Sequence, residues 1–266
     1  MRRLMQYSAS YSARAFAFFA LFAMLSPLKA FASDTGKPIV TGLDPTQPVT
    51  SVGLMSRATT LTALAHETDR TLVASGAFGR RSELLLALPY RDSLSIDGIG
   101  SQNGVGDASL EYRYVLSSSK ARFAQMAGLG LSLASGSATF SSGQTQLAPA
   151  YAFSYHIARR LTFITESRYS FALSTKEGFP QLRGLDVTPT ILASLSRRGV
   201  YAAFSTDIQG VRGAYHFTGC ESTLRLGAVF SRRLNFSIYY TVPTSNMTYN
   251  HILHVSYGLS LTIQRP

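Results

Sequence analysis

The sequence predicts an all-β fold, a closed antiparallel transmembrane β-barrel of about twelve strands. Three observations predict it. Strand-length runs alternate apolar and polar residues with a period of two. Short basic turns alternate with longer polar loops, the layout of a barrel whose short turns face the periplasm and whose long loops face outward. The N-terminus reads as an export signal.

The signal comes first. Arg2, Arg3 and Arg14 form a positive region, and Ala15–Leu25 is an apolar run too short to span a bilayer as a helix. Ala30-Phe31-Ala32 is a cleavage signal of the A-x-A type. Residues 1–32 are therefore expected to be removed. Residues 33–55, with Pro38, Pro45 and Pro48 and little periodicity, are expected to be a periplasmic tail or a segment folded into the lumen. The barrel is expected over 56–266. Its first strand, within Ser56–His66, has the weakest alternation.

The later runs are clearer. Ala108, Leu110, Tyr112, Tyr114 and Leu116 oppose Ser109, Glu111, Arg113 and Val115. Leu147, Tyr151, Phe153, Tyr155 and Ile157 oppose Ala148, Ala150, Ala152, Ser154 and His156. Leu161, Phe163, Tyr169, Phe171 and Leu173 oppose Glu166 and Arg168. Leu224, Leu226, Ala228 and Phe230 oppose Thr223, Arg225, Gly227 and Val229. Leu234, Phe236, Ile238, Tyr240 and Val242 oppose Asn235, Ser237, Tyr239 and Thr241, and His254–Ile263 closes the series. Each run is near the nine to eleven residues that cross a membrane at barrel tilt. A soluble β-sandwich also alternates. Here the polar face is rich in Gly, Ala and Ser, and Tyr90, Tyr114, Tyr155, Tyr169 and Tyr257 stand near run ends, where an interface girdle belongs.

The basic turns are Gly79-Arg80-Arg81, Ser119-Lys120-Ala121-Arg122, Arg159-Arg160, Arg197-Arg198-Gly199 and Arg232-Arg233. The long loops are Arg91–Gly106, Gly136–Gln144, Ser174–Leu185, Val211–Glu221 and Pro243–Leu253. Pro89, Pro149 and Pro189 fall inside runs, where a missing N–H weakens a ladder, and are expected near the outer rim.

The formal net charge is +11. An exported chain with its basic excess in turns points to phospholipid head groups, not to nucleic acid. Outer-membrane lipids and a small solute are the expected partners, in a Gram-negative bacterium. Cys220 is the sole cysteine, so no intramolecular disulfide forms. The five histidines are scattered, no metal-ligand spacing occurs, and no cofactor is expected.

Phe78-Gly79-Arg80-Arg81-Ser82-Glu83-Leu84 leads to Ala87-Leu88-Pro89-Tyr90, and Gly104-Val105-Gly106-Asp107 opens the next strand. These segments resemble the outer-membrane family known as MetA-pathway of phenol degradation, also called simply transporter. The match covers about 78–116 and singles out Pro89, Tyr90, Gly104, Gly106 and Asp107. The resemblance implies an exported barrel that passes small, aromatic compounds, and it brings no catalytic residues. Read physically, Gly106-Asp107 is a turn with a rim carboxylate.

The polar faces carry Glu83, Glu111, Arg113, Glu166, Arg168, Asp186, Asp207 and Arg225. Glu111, Arg113, Glu166, Arg168, Asp207 and Arg225 sit at strand centres and are the candidates for a charged constriction. The other reading is that they pair across strands and fill a structural barrel whose loops bind a partner. His254 and Ser256, two apart on one strand, are the only residues that suggest catalysis. Outer-membrane phospholipase A has a His-x-Ser strand with an Asn after its serine. This chain has Tyr257 there, and parity turns the pair toward the lumen, so a non-enzymatic barrel is expected.

Overall fold

The computed structural model describes residues 43–62, 65–96, 100–117, 122–137, 139–196, 199–213, 217–230, 234–244 and 255–265. The export signal, the Ser119–Ala121, Arg197-Arg198 and Arg232-Arg233 turn residues, and His254 lie outside them.

The strands are β1 (Thr50–Thr62), β2 (Ala65–Phe78), β3 (Ser82–Ile96), β4 (Gly100–Val105), β5 (Ser109–Val115), β6 (Phe123–Ser132) and β7 (Gln144–Ala158). They continue as β8 (Leu161–Thr175), β9 (Leu182–Ser194), β10 (Val200–Gly213), β11 (Phe217–Phe230), β12 (Leu234–Pro243) and β13 (Val255–Arg265). Neighbours pair antiparallel in one sheet. The sheet closes on itself because β1 pairs both β2 and β13, from Thr50↔Arg265 to Thr60↔Val255. β5 pairs the first half of β3 and β4 the second half. The two therefore make one stave, broken at 106–108, and the thirteen strands form a twelve-staved barrel.

Burial is inverted relative to a soluble protein. Leu54, Leu72, Leu110, Leu129, Ile191, Phe204, Phe236 and Ile238 are exposed along the strands, while Glu83, Glu111, Ser154 and Ser237 are buried. A sandwich would hide those leucines and isoleucines in its core. A lipid-facing belt leaves them outside, with the backbone paired strand to strand around the closed sheet. Tyr90, Tyr114, Tyr155 and Tyr169 all point outward as expected.

The structure differs from the sequence reading in three places. β1 opens at Thr50, not Ser56, and Val52 and Leu54 already carry its outward face. The loops expected at Arg91–Gly106 and Val211–Glu221 are largely strand, because β3, β4, β10 and β11 run on past the apolar belt. There Arg91, Asp92, Ser93, Ser95, Gln102 and Asn103 thin out the apolar face, so the period-two signal fades while the ladder continues. The prolines lie mid-strand and not at the rim. Each sits beside an interruption in pairing: Pro149 between Leu147↔Phe171 and Ala150↔Arg168, and Pro189 between Val187↔Ile208 and Thr190↔Ser205. Pro89 faces the β4–β5 break, and its carbonyl accepts from Gly106 N at 2.9 Å. The missing donors thus fall where no partner strand needs them.

Candidate functional site in the lumen

Inward positions build the site. Over the middle of β6 and β7 they are small: Gly128, Gly130, Ala148, Ala150 and Ala152. That leaves room for long side chains from β5 and β8 to meet over them. Arg168 Nη2 donates to Glu111 Oε2 at 2.6 Å and to Glu166 Oε1 at 2.8 Å. Arg113 Nε donates to Glu111 Oε1 at 2.7 Å, and its other nitrogens lie 3.9 Å from Glu83 and from Glu166. A Cβ at Gly128 would come within 3.2 Å of Glu111 Oε1, and one at Gly130 within 3.4 Å of Arg168 Nη1. A larger residue at Gly128 would press on the Glu111 carboxylate, while Gly130 leaves Arg168 just enough room.

Four of the six candidates thus converge, and Glu83 joins them. The other two stand apart. Asp207 accepts from Thr188 Oγ1 at 2.9 Å and from Gln209 Nε2 at 2.5 Å. The guanidinium of Arg225 lies over the Tyr239 ring, 5.1 Å from its centroid. Tyr201 and Tyr239 lie flat over cross-strand glycines. A Cβ on Gly227 would run into the Tyr201 ring and one on Gly258 into the Tyr239 ring. Tyr201 Oη donates to Asn235 Oδ1 at 3.0 Å. Further lumen pairs are Arg57–Asp69 at 2.8 Å and Arg91–Glu67 at 2.6 Å. The sequence did not single these out because Arg57 falls in the run of weakest alternation and Arg91 in a stretch assigned to a loop.

The segment 43–49 lies against the inner wall at the short-turn end. Asp44 and Pro45 start a turn, with Gln47 N donating to Asp44 O at 3.1 Å and Thr46 N to Asp44 Oδ1 at 3.0 Å. Asp followed by Pro is the sequence signal for this turn. Thr46 Oγ1 bonds Ser154 Oγ of β7 at 2.9 Å. Val49 N donates to Glu83 Oε1 at 3.1 Å, and Ser75 Oγ donates to Val49 O at 2.5 Å. Leu43 packs on Ile164, Leu192, Tyr201 and Ala203 of β8–β10. With contacts on β2 and β3 at one end and on β7–β10 at the other, the segment crosses the lumen.

At the opposite end, Asp107 anchors the β6–β7 loop. Its Oδ1 accepts from Gly136 N at 2.9 Å and Ser141 Oγ at 2.7 Å, and its Oδ2 from Ser142 N and Oγ at 2.7 Å each. Gly104 has no room for a Cβ beside Ser137 and Phe140 of the same loop. The Gly104–Asp107 motif thus breaks the stave and holds the loop over the break. Burial raises the Asp107 pKa, but the hydrogen bonds from Ser142, Gly136 and Ser141 outweigh it and hold the carboxyl below its ordinary value. The contribution to loop order is therefore complete above the ordinary carboxylate pKa of about 4 and is lost as pH falls through the lowered folded value. Asp107→Ala should speed amide exchange at Gly136 and Ser142 by about tenfold or more near neutral pH. Acid should do the same to the wild-type chain. Unchanged exchange in Asp107→Ala would show that the loop is held by other contacts.

A closed antiparallel barrel with an apolar belt outside and charge inside defines the class: this is an outer-membrane β-barrel, a protein of the Gram-negative outer membrane. Within that class the chain is similar in structure to the COG4313 outer-membrane channel from Pseudomonas putida F1. The TM-score is 0.66 at 11% identity, over 82% of this chain and 96% of that one. It is also similar to the NanC porin, with a TM-score of 0.61 at 13% identity over 80% and 100%. A third match is the KdgM porin solved with disordered oligogalacturonate, with a TM-score of 0.56 at 11% identity over 81% and 99%. These likenesses are of fold, and the proteins are described as porins and a channel. No protein-family profile matches the chain, and no curated protein does.

Proposed function

We propose that the barrel is a narrow channel that passes small solutes across the outer membrane. The observation that carries this reading is the carboxylate–guanidinium cluster of Glu83, Glu111, Arg113, Glu166 and Arg168, suspended across small residues inside the barrel. Charges held in a confined passage act strongly on a passing ion. Asp207 and Arg225 extend the charged lining beyond the cluster. The segment 43–49 lies across the mouth at the short-turn end, and its displacement would widen the passage. Aromatic compounds are the solutes that the family resemblance suggests.

The completeness of the pairing in the cluster favours a second reading, a filled structural barrel whose outer loops bind a partner. Planar-bilayer recordings of the refolded protein separate the two. The channel reading expects stepwise conductance that rises when residues 33–49 are deleted. A folded barrel that stays silent with and without that segment would leave the structural reading. In conducting protein, neutralising Arg113 and Arg225 together should move the reversal potential toward cations. Neutralising Glu111 and Glu166 should move it toward anions. If neither moves it, the cluster is a brace and not a filter.

A further inference from the structure

Arg57, Arg91, Arg113 and Arg168 each meet a carboxylate inside the barrel. Among the described residues Arg225 meets none; the Tyr239 ring lies against it and Tyr201 stands close by. Leaving a half-buried guanidinium without a counterion costs free energy, and an aromatic face recovers only part of it. In the cross-strand register Arg225 stands opposite Ala203, and Ala203 opposite Leu192. Those two belong to an apolar cluster with Ile164 and Tyr201, against which Val229 also packs. All are at inward positions, so this cluster is an oily patch on the inner wall, separate from the Val115–Met126 pair on β5 and β6. Leu43 of the N-terminal segment is seated on it, and Tyr201 is 0% exposed beneath that cover.

We infer that this patch and Arg225 together form a binding site for small organic anions with an apolar body. Leu43 occupies the apolar half of the site in the solute-free barrel. The patch takes the hydrocarbon or ring, and the guanidinium takes the carboxylate. The segment that narrows the mouth is then displaced by the solute that competes with its leucine, which couples binding to opening. The inference rests on the reading of the barrel as a solute channel, and it names the solute class.

Hexanoate and hexanamide share an apolar body and differ in charge, so calorimetric titration of the refolded, detergent-solubilised protein tests the site without requiring conductance. Leu43→Ser removes the competing side chain and should tighten hexanoate binding by about tenfold, the scale of one buried leucine. Ser154→Ala, which removes the bond to Thr46 and stands opposite Ile164 at the edge of the patch, leaves Leu43 in place and should tighten it less. Hexanamide should bind more weakly than hexanoate, and adding Arg225→Gln to Leu43→Ser should erase the difference. Heat-dependent gel mobility confirms that each variant is a closed barrel. No hexanoate binding in either single variant overturns the proposal, as does equal binding of the acid and the amide. Selective hexanoate binding by a barrel that never conducts would retain the site and remove the channel reading.

Discussion

Arginine at Ile238 is expected to prevent stable insertion of the barrel, whereas arginine at Ser205 is expected to be tolerated. Ile238 is at the centre of β12, 52% exposed on the outer face and opposite Leu226 in the ladder. A cation there meets hydrocarbon, at a cost of about 2–4 kcal/mol near the midplane. Ser205 points inward on β10, two residues from Asp207 and partly open, so a new guanidinium gains a carboxylate neighbour. The neighbouring inward position Ser237 is no fair control. It is 0% exposed, and an arginine there would fail for lack of space. Urea unfolding in lipid vesicles should show Ile238→Arg strongly destabilised or never folded and Ser205→Arg near wild type. Equal behaviour of the two would mean that the outer face does not contact lipid.

Glu111→Gln should be the most costly single change inside the lumen. Glu111 is 7% exposed and joins Arg113 and Arg168, so its neutralisation leaves two guanidinium groups short of their main counterion. Removing one member of a buried ion pair typically costs about 3–5 kcal/mol. Glu83→Gln should cost far less. Its contact with Arg113 is 3.9 Å, and a glutamine oxygen can still accept from Val49 N. The urea midpoint of Glu111→Gln should fall well below that of Glu83→Gln. Arg168→Met in the Glu111→Gln background should recover part of the loss, as coupled sites do. A Glu111→Gln midpoint equal to wild type would show that water in the lumen already screens the cluster.

The side on which each residue falls was legible in the sequence, because parity is a local property of a strand. Leu110 and Tyr112 point outward, and Glu111 and Arg113 inward, wherever the neighbouring strands lie. Which inward charges meet was not legible. Glu111 and Arg168 are 57 residues apart, and they touch only because the strands between them present glycine and alanine. The same blindness placed Asp207 and Arg225 in one constriction with residues they do not contact. Strand ends were misjudged where the membrane stops imposing an apolar face, as along the outer half of β3. Leu43–Val49 carries no period at all. Its place in the lumen comes from the Asp44 turn and from a leucine that finds an apolar patch contributed by strands far along the chain.

The pairing of β1 with β13 also sets an order of events in assembly. This contact joins the first strand to the last, the longest loop closure in the chain, and such contacts form late. Thr50 begins that ladder, directly after the residue whose N–H is held by Glu83. The wall that receives Leu43 and the wall that receives Val49 face each other only once the sheet has curved into a ring. An unfinished, open-seamed barrel therefore has nowhere to lodge its N-terminal segment. Sealing the seam and seating this segment are therefore expected to be a single step, so Leu43 finds its patch only in the finished ring.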